Sequence, residues 1–219
     1  MNLTEQLDAY CERVDPTYWS EPVNAITNAA FIIAALIMWR RVSGNRPAQL
    51  LCIVLFAIGV GSYLFHTHAT AWAMLADVTP IGMFILLYLF LTHRDLIGLR
   101  TWPAVGATAL FLPYAAAMVF VLNLLPFFRI SNFYWTVPVL LFVYAFVLRR
   151  QFPDTARGFV MGGILLCVSI SLRSIDLMLC DVLPLGTHFT WHILNGIMLG
   201  WMIAVYHRHV TLAGATAER

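Results

Sequence analysis

Seven long apolar stretches constrain this chain more than any other feature of its sequence. They lie at 22–39, 48–68, 72–92, 102–122, 133–148, 158–178 and 187–206. An α-helix rises about 1.5 Å per residue, so about 20 apolar residues cross the roughly 30 Å hydrocarbon core of a bilayer. Apolar residues make up 61% of the chain and charged residues only 11%, whereas soluble domains carry about 25% charged residues. The sequence therefore predicts an all-α, integral membrane bundle of seven transmembrane helices, and it excludes a water-soluble globule, a disordered chain and a nucleic-acid-binding domain.

The placement of charges predicts how the bundle is oriented. All 13 basic residues are arginines, and most of them fall on one side of a seven-span arrangement. These are Arg40, Arg41, Arg46, Arg94, Arg100, Arg149, Arg150, Arg157, Arg208 and Arg219. By the positive-inside rule that side is cytoplasmic, so the N-terminus is expected outside and the C-terminus inside.

The same topology divides the chain into three parts. We expect an extracytoplasmic segment at 1–21, a membrane domain at 22–206 and a cytoplasmic tail at 207–219. The polar, acidic start of the chain lacks a positive leader followed by an apolar run, so no cleaved signal peptide is expected. The short loops and the absence of lysine indicate a multi-pass protein of a bacterial inner membrane. The sequence leaves the oligomeric state open.

Polar and ionisable side chains inside the predicted spans point to a functional site, because lipid-facing helices have no use for them. Ser62 and His66 lie four residues apart at the end of the second span, and His188 and His192 lie four apart at the start of the seventh. Each pair therefore shares one helix face. Two histidines at this spacing can bind one metal ion from a single helix. A third ligand must then come from another helix, and His66 is the natural candidate.

The predicted topology places these residues, together with Asp77 of the third span, at a similar depth near the outer surface. Three neutral imidazoles leave a fourth coordination position for water, which is the arrangement of a catalytic zinc site. Zinc lowers the pKa of a bound water toward about 7. Asp77 is suited to accept and return a proton. Ser62 is suited to donate a hydrogen bond to a developing oxyanion or to orient a zinc ligand.

Two further pairs of residues are notable on the outer side. Cys11 and Cys180 both fall outside the membrane, in a compartment that permits a disulfide, but the sequence does not supply the geometry. Arg173 and Asp176 are three residues apart and are expected to pair within the sixth span. A contact between Arg173 and the headgroup of a substrate is the alternative.

At these residues the chain resembles the alkaline ceramidases, which belong to a superfamily of seven-span membrane proteins that also contains the progestin and adiponectin receptors. The matching motifs are Ser62-Tyr-Leu-Phe-His66, then Asp77, then His188-Phe-Thr-Trp-His192. The resemblance implies that the three histidines bind zinc, that Asp77 handles protons and that Ser62 assists. It also implies hydrolysis of the amide bond of ceramide to a sphingoid base and a fatty acid.

The N-terminal segment extends the resemblance, which covers the chain from about residue 8 to 206. The matching residues there are Cys11-Glu12, Glu21-Pro-Val-Asn24 and Asn28. In the family this region binds calcium, so the resemblance implies a Ca²⁺ site with Asp8, Glu12 and Glu21 as ligands and Asp15 as a further source of oxygen. Calcium takes six to eight oxygen ligands. The chain departs from the family pattern here, because the segment is about two residues shorter and the aspartate before the cysteine is displaced to Asp8.

The resemblance also bears on the cysteines and on the substrate. The family pairs a cysteine of the first segment with one before the last span, which implies a Cys11–Cys180 disulfide. The implied substrate is a membrane lipid, ceramide or another N-acyl lipid, that reaches the site laterally from the bilayer.

Three other functions remain open from the sequence. A receptor-like or sensor protein could use the same zinc site to join helices without catalysis. A proton or ion carrier could use Asp77 and the histidines as a relay. A haem protein could use two of the histidines as axial ligands.

Overall fold

The computed structural model of the protein describes residues 2–217, and its regular elements there are helices. The α-helices are α1 (Pro22–Thr27), α2 (Ala29–Arg41), α3 (Arg46–His68), α4 (Ala71–Leu91), α5 (Thr101–Ala109), α6 (Phe111–Leu122), α7 (Pro126–Arg129), α8 (Asn132–Leu148), α9 (Pro153–Ser174) and α10 (His188–Ala217). A π-helical turn at Thr92–Leu96 follows α4, and a 3₁₀ turn at Asp176–Met178 follows α9. Arg219, which the topology argument counted as cytoplasmic, lies outside the described residues.

Six helical stretches of residues 2–217 are long and apolar enough to cross a bilayer. They are Pro22–Arg41, Arg46–His68, Ala71–Leu96, Thr101–Leu122, Pro153–Ser174 and His188–Leu212. The remaining predicted span, 133–148, is the 17-residue helix α8, which rises only about 25 Å. The protein is thus an all-helical, multi-pass membrane protein, whereas a seventh crossing and the side of each terminus stay predictions.

The helices pack in a closed ring. Along the chain α2 packs on α3, α3 on α4, α4 on α5, α6 on α8, α8 on α9 and α9 on α10, and α10 closes the ring against α2. Side chains such as Leu55, Phe159 and Ile203 are fully buried between the helices. Large apolar side chains such as Leu110 and Phe120 are exposed on the outside, as a lipid-facing surface requires.

Prolines account for several helix boundaries. Proline stands in the first turn of α1, α3 and α9, where the missing N–H costs nothing because that group has no partner within the helix. The break between α5 and α6 comes from a proline that would stand in the interior of a continuous helix. Pro113 cannot donate a hydrogen bond to the carbonyl of Ala109, and α5 ends at Ala109.

One glycine allows α3 and α4 to approach closely. A Cβ added at Gly61 would lie closer than 3.0 Å to the backbone carbonyl of Ala76, and it would also crowd the Cα of Asp77. The two helices therefore touch through their backbones, next to Ser62 and Asp77.

Residues 2–21, which we call the N-terminal segment, lie across one end of the ring. Backbone hydrogen bonds join Leu7 to Ala69 (2.7 Å) and Ala71 to Glu5 (3.0 Å). A disulfide joins Cys11 to Cys180, with their Cα atoms 5.1 Å apart. This is the pairing that the resemblance implies, and it ties the segment to the connection that precedes α10.

Candidate metal centre

The three predicted metal ligands come together beneath the N-terminal segment. His66 lies near the end of α3, and His188 and His192 lie in the first two turns of α10. Each offers one nitrogen, and these nitrogens all lie within 4.8 Å of one another. All three side chains are buried. Within residues 2–217 this is the one group of three or more histidine, cysteine or acidic side chains that could hold a metal ion.

Hydrogen bonds orient two of the imidazoles. Nδ1 of His66 lies 2.6 Å from a carboxylate oxygen of Glu21, and Nδ1 of His192 lies 2.9 Å from the hydroxyl oxygen of Thr27. The Thr27 hydroxyl donates its own proton to the carbonyl of Val23 (2.7 Å), so its oxygen accepts from the ring. Both rings thus carry their proton on Nδ1, which leaves the Nε2 lone pair free to bind a metal ion.

Unpaired nitrogen atoms show that the histidine cluster fits a metal ion. In the described part of the chain, Nε2 of His192 and Nδ1 of His188 are buried without a hydrogen-bond partner, and buried polar atoms without partners are uncommon. Nitrogens bound to one tetrahedral zinc at about 2.1 Å would stand about 3.4 Å apart. A small movement of the side chains would bring the cluster to that spacing. An all-imidazole set suits zinc, although copper, iron and nickel also accept imidazole.

The N-terminal segment covers the histidines with residues that the sequence analysis did not single out. The ring of Tyr10 stacks on that of His188, with centroids 3.6 Å apart and planes 15° apart. Arg13 donates a hydrogen bond to the backbone carbonyl of His66 (3.0 Å) and forms an ion pair with Glu21 (2.5 Å). Burial raises the pKa of the Glu21 carboxyl, and the Arg13 guanidinium opposes that rise. The segment therefore seals the cluster from above.

The structure places Asp77, the predicted proton-transfer residue, beside Ser62 on the neighbouring helix. Ser62 is buried one turn before His66 on α3, and its hydroxyl hydrogen-bonds with the carboxylate of Asp77 on α4. Oδ1 of Asp77 is buried and has no hydrogen-bond partner among the described residues. A carboxylate held in this way has an oxygen available for a ligand or a water.

The predicted pair between Arg173 and Asp176 is wrong. Oδ1 of Asp176 accepts hydrogen bonds from the backbone N–H groups of Thr187 (2.6 Å) and His188 (2.8 Å), and Oδ2 accepts one from that of Cys11 (3.0 Å). Carboxylates favour helix N-termini, where backbone N–H groups have no partner within the helix. Asp176 therefore determines where α10 begins, and with it the position of His188.

The carboxylates expected to bind calcium have other partners. Glu12 accepts hydrogen bonds from the first backbone N–H groups of α1, at 2.7 and 2.8 Å, and burial raises its pKa. Asp15 accepts from the backbone N–H of the nearby Thr17 (2.8 Å), Asp8 is exposed, and Glu21 binds His66 as described. The structure does not gather these groups around one point, so the calcium site stays a prediction.

An apolar cavity lies inside the ring beside the histidines. Phe31, whose ring is 6.1 Å from that of His192, lines its upper part together with Trp191 and Tyr134. Residues of α3, α4, α8 and α9 and the lower turns of α10, down to Met202, line the rest. From residue 191 to 202 an α-helix rises about 16 Å, so the cavity extends well into the bundle and has the shape and polarity that a hydrocarbon chain requires.

Comparison with known proteins agrees with this arrangement. The family model described as Ceramidase matches residues 6–218, which is nearly the whole chain. None of the curated proteins compared with the chain matches it. Since the family match includes the N-terminal segment, the histidine cluster and every helix described above, the chain belongs to the ceramidase family.

Proposed function

We propose that this protein is a zinc-dependent amidohydrolase of the membrane, which cleaves ceramide or a related N-acyl lipid and releases a fatty acid. Membership of the ceramidase family supports a ceramide-hydrolysing membrane enzyme. The observation that carries the zinc part of the proposal is the buried cluster of His66, His188 and His192, with ring nitrogens that have no partner in the described protein.

The three histidines would hold the metal ion, and Glu21 and Thr27 would keep two of the rings in the tautomer that binds it. When bound, zinc supplies a Lewis acid that polarises the amide carbonyl and makes water acidic enough to react at neutral pH. The N-terminal segment, with Tyr10 stacked on His188, keeps bulk water away from the rings and so strengthens electrostatic interactions inside the site.

Asp77 is the proposed proton carrier. Its carboxylate takes a proton from the water whose oxygen forms the new bond to the amide carbon. It then gives a proton to the nitrogen as the carbon–nitrogen bond breaks, so that the amine leaves neutral. Ser62 holds the carboxylate through its hydrogen bond and is a positioning residue in this scheme.

The hydrocarbon chain of the lipid would occupy the apolar cavity, which places the amide beside the histidines at the upper end. We expect the substrate to reach the cavity laterally from the bilayer. In the predicted topology the reaction then takes place in the non-cytoplasmic leaflet, and the fatty acid is released there.

Single substitutions of the histidines test the proposal directly. We expect purified His188→Ala and His192→Ala to lose both bound zinc, measured by elemental analysis, and hydrolysis of ceramide in detergent micelles. His68→Ala is the matched control, since His68 is exposed at the end of α3 and should change neither quantity. Wild-type zinc content in His188→Ala and His192→Ala would contradict the assignment of the ligands. Stoichiometric zinc without hydrolysis of any lipid amide in the wild-type protein would favour a receptor-like role, and ion flux into liposomes without metal would favour a carrier.

A further inference from the structure

Arg173, in the last turn of α9, has no carboxylate partner among the described residues. The arginine ion pairs within residues 2–217 join Arg13 to Glu21, Arg94 to Asp95 and Arg157 to Asp154. The Arg173 guanidinium instead donates to two neutral oxygens, the hydroxyls of Ser131 (2.8 Å) and Tyr10 (3.3 Å). A guanidinium has five N–H donors, so most of its donors have no acceptor in the described protein.

Three aromatic rings surround this guanidinium. Its central carbon lies 5.1 Å from the ring centroid of Tyr134, 5.7 Å from that of Trp191 and 5.8 Å from that of Tyr10. Cation–π contacts of this kind hold the group in place but bring no negatively charged atom into contact with it. We call Arg173, Tyr10, Ser131, Tyr134 and Trp191 the arginine cage.

The cage lies between the histidine cluster and the upper end of the cavity. Tyr10 stacks on His188, and Trp191 precedes His192 in the chain. Tyr134 and Trp191 also line the cavity. Asp77 is within electrostatic range of Arg173 but forms no ion pair with it. A lipid whose chain fills the cavity would therefore present its polar end to Arg173.

We propose that the arginine cage binds an anionic oxygen group at the polar end of the lipid. Arg173 is half-buried among aromatic rings, where a cation attracts a compensating negative charge. The planar guanidinium matches carboxylate, phosphate or sulfonate oxygens in a two-pronged contact. This deepens the proposed function and rests on it for the identity of the lipid. The anion is either the headgroup of an acidic N-acyl lipid, which would distinguish the substrate from neutral ceramide, or the carboxylate of the released fatty acid.

Binding of a simple amphiphile tests the cage without any need for hydrolysis. Purified full-length protein in detergent is titrated calorimetrically with dodecanoate and with dodecanol, before and after treatment with a chelator that removes metal. We expect wild-type protein to bind dodecanoate at least about tenfold more tightly than dodecanol in both states, because hydrogen bonds to a charged group are stronger than those between neutral groups. Arg173→Gln should lose this preference. Arg173→Lys keeps the charge but not the planar, two-pronged guanidinium, and it should retain part of the preference.

Arg129→Gln is the matched control, since Arg129 is an exposed arginine in the connection that also carries Ser131. It should keep the full preference for dodecanoate. Equal affinity of wild-type protein for dodecanoate and dodecanol would overturn the proposal, as would an unchanged preference in Arg173→Gln. This titration does not depend on catalysis. An inactive protein that still prefers dodecanoate would therefore count against the proposed function but would support anion binding by the arginine cage.

A second measurement identifies the source of the anion. Hydrolysis of N-dodecanoylglycine, which carries a carboxylate, is compared with hydrolysis of the neutral N-dodecanoylethanolamine. If the cage binds the headgroup, the ratio of kcat/KM for the acidic over the neutral lipid falls at least about tenfold in Arg173→Gln. If it holds the product, that ratio is unchanged and inhibition by dodecanoate weakens by a similar factor. No change in either quantity would contradict both forms of the proposal.

Discussion

At the scale of single residues, the candidate metal centre depends on side chains that are not themselves among the proposed ligands. Glu21 and Thr27 come from the start of the first membrane helix and contact the rings of His66 and His192. Partners of this kind raise the basicity of the metal-binding nitrogen and hold the ring at the correct angle. They explain how two of the three histidines keep a fixed orientation in an apolar bundle.

Thr27→Val removes the hydroxyl that holds His192 while keeping the shape of the side chain. We expect the affinity for zinc to fall about 10- to 100-fold, as is usual when such a partner of a metal ligand is lost. Competition with a chromogenic chelator measures the change. Thr67→Val is the control, because the Thr67 hydroxyl donates within its own helix, to the carbonyl of Tyr63 (2.8 Å). Equal zinc affinities for the two variants would show that Thr27 does not orient the ligand.

Asp77→Asn separates proton transfer from metal binding. The amide keeps the size of the side chain but cannot accept and return a proton, so we expect zinc content near the wild-type value and turnover reduced about 10²- to 10⁴-fold. Elemental analysis and a ceramide hydrolysis assay on the same sample check both. Asp154→Asn, which alters an exposed carboxylate on α9, should behave like wild type. Undiminished turnover in Asp77→Asn would remove Asp77 from the mechanism.

The predictable part of the site follows from helical geometry. Spacings of four residues placed His188 beside His192 and Ser62 beside His66, and the alternating direction of the spans brought Asp77 to the same level. The contacts of Tyr10 and Thr27 could not be predicted, because they join residues far apart in sequence, 165 positions in the case of Thr27 and His192. Local spacing does not determine such contacts, and for the same reason the predicted pair of Arg173 and Asp176 was wrong.

At the scale of secondary structure elements, the site depends on how closely two helices approach. Helices in membranes pack tightly where small residues let their backbones meet, and α3 and α4 do so at Gly61. Hydropathy located these helices to within a few residues, since each is a long apolar run. It did not predict their separation, which depends on a single missing side chain beside Ser62.

Gly61→Ala should push α3 and α4 apart. We expect a loss of stability of about 1–3 kcal/mol, the usual cost of overpacking, together with weaker hydrolysis because Ser62 moves away from Asp77. A thermal melt in detergent and the ceramide assay measure the two effects. Gly82→Ala is the control on α4, because a Cβ there would meet no atom within 4 Å and alanine favours a helix by up to about 1 kcal/mol. A Gly61→Ala protein as stable and active as Gly82→Ala would refute the close contact.

At the scale of the whole molecule, the N-terminal segment joins the two helices that carry the histidines. It bonds to the connection between α3 and α4 through Leu7 and Ala69, and the Cys11–Cys180 disulfide joins it to the connection before α10. The segment also buries the ring of Tyr10 among apolar side chains of α3 and α4. Its position over the site therefore depends on this apolar contact and on the covalent and hydrogen-bonded attachments.

Cys11→Ser should loosen the segment and destabilise the fold. Loss of a native disulfide that closes so long a loop costs about 2–5 kcal/mol, which for a chain of this size lowers the melting midpoint by roughly 5–15 °C. Differential scanning fluorimetry in detergent measures the shift. Reductant should shift the wild-type protein in the same way and leave Cys11→Ser unchanged. Cys167→Ser, which alters a free thiol, should keep the response to reductant, and a wild-type melting curve insensitive to reduction would argue against the role given to the disulfide.

Because the two bonded cysteines lie far apart in the sequence, the disulfide between them can form only late in the synthesis of the protein. They are 169 residues apart, so at a synthesis rate of about 5–20 residues per second the first thiol waits roughly ten to thirty seconds for its partner to leave the ribosome. Until then the nascent protein contains only one of the three imidazoles, and the N-terminal segment has no covalent link to the rest of the fold. A metal ion held by all three histidines would therefore enter only after the start of α10 has been synthesised.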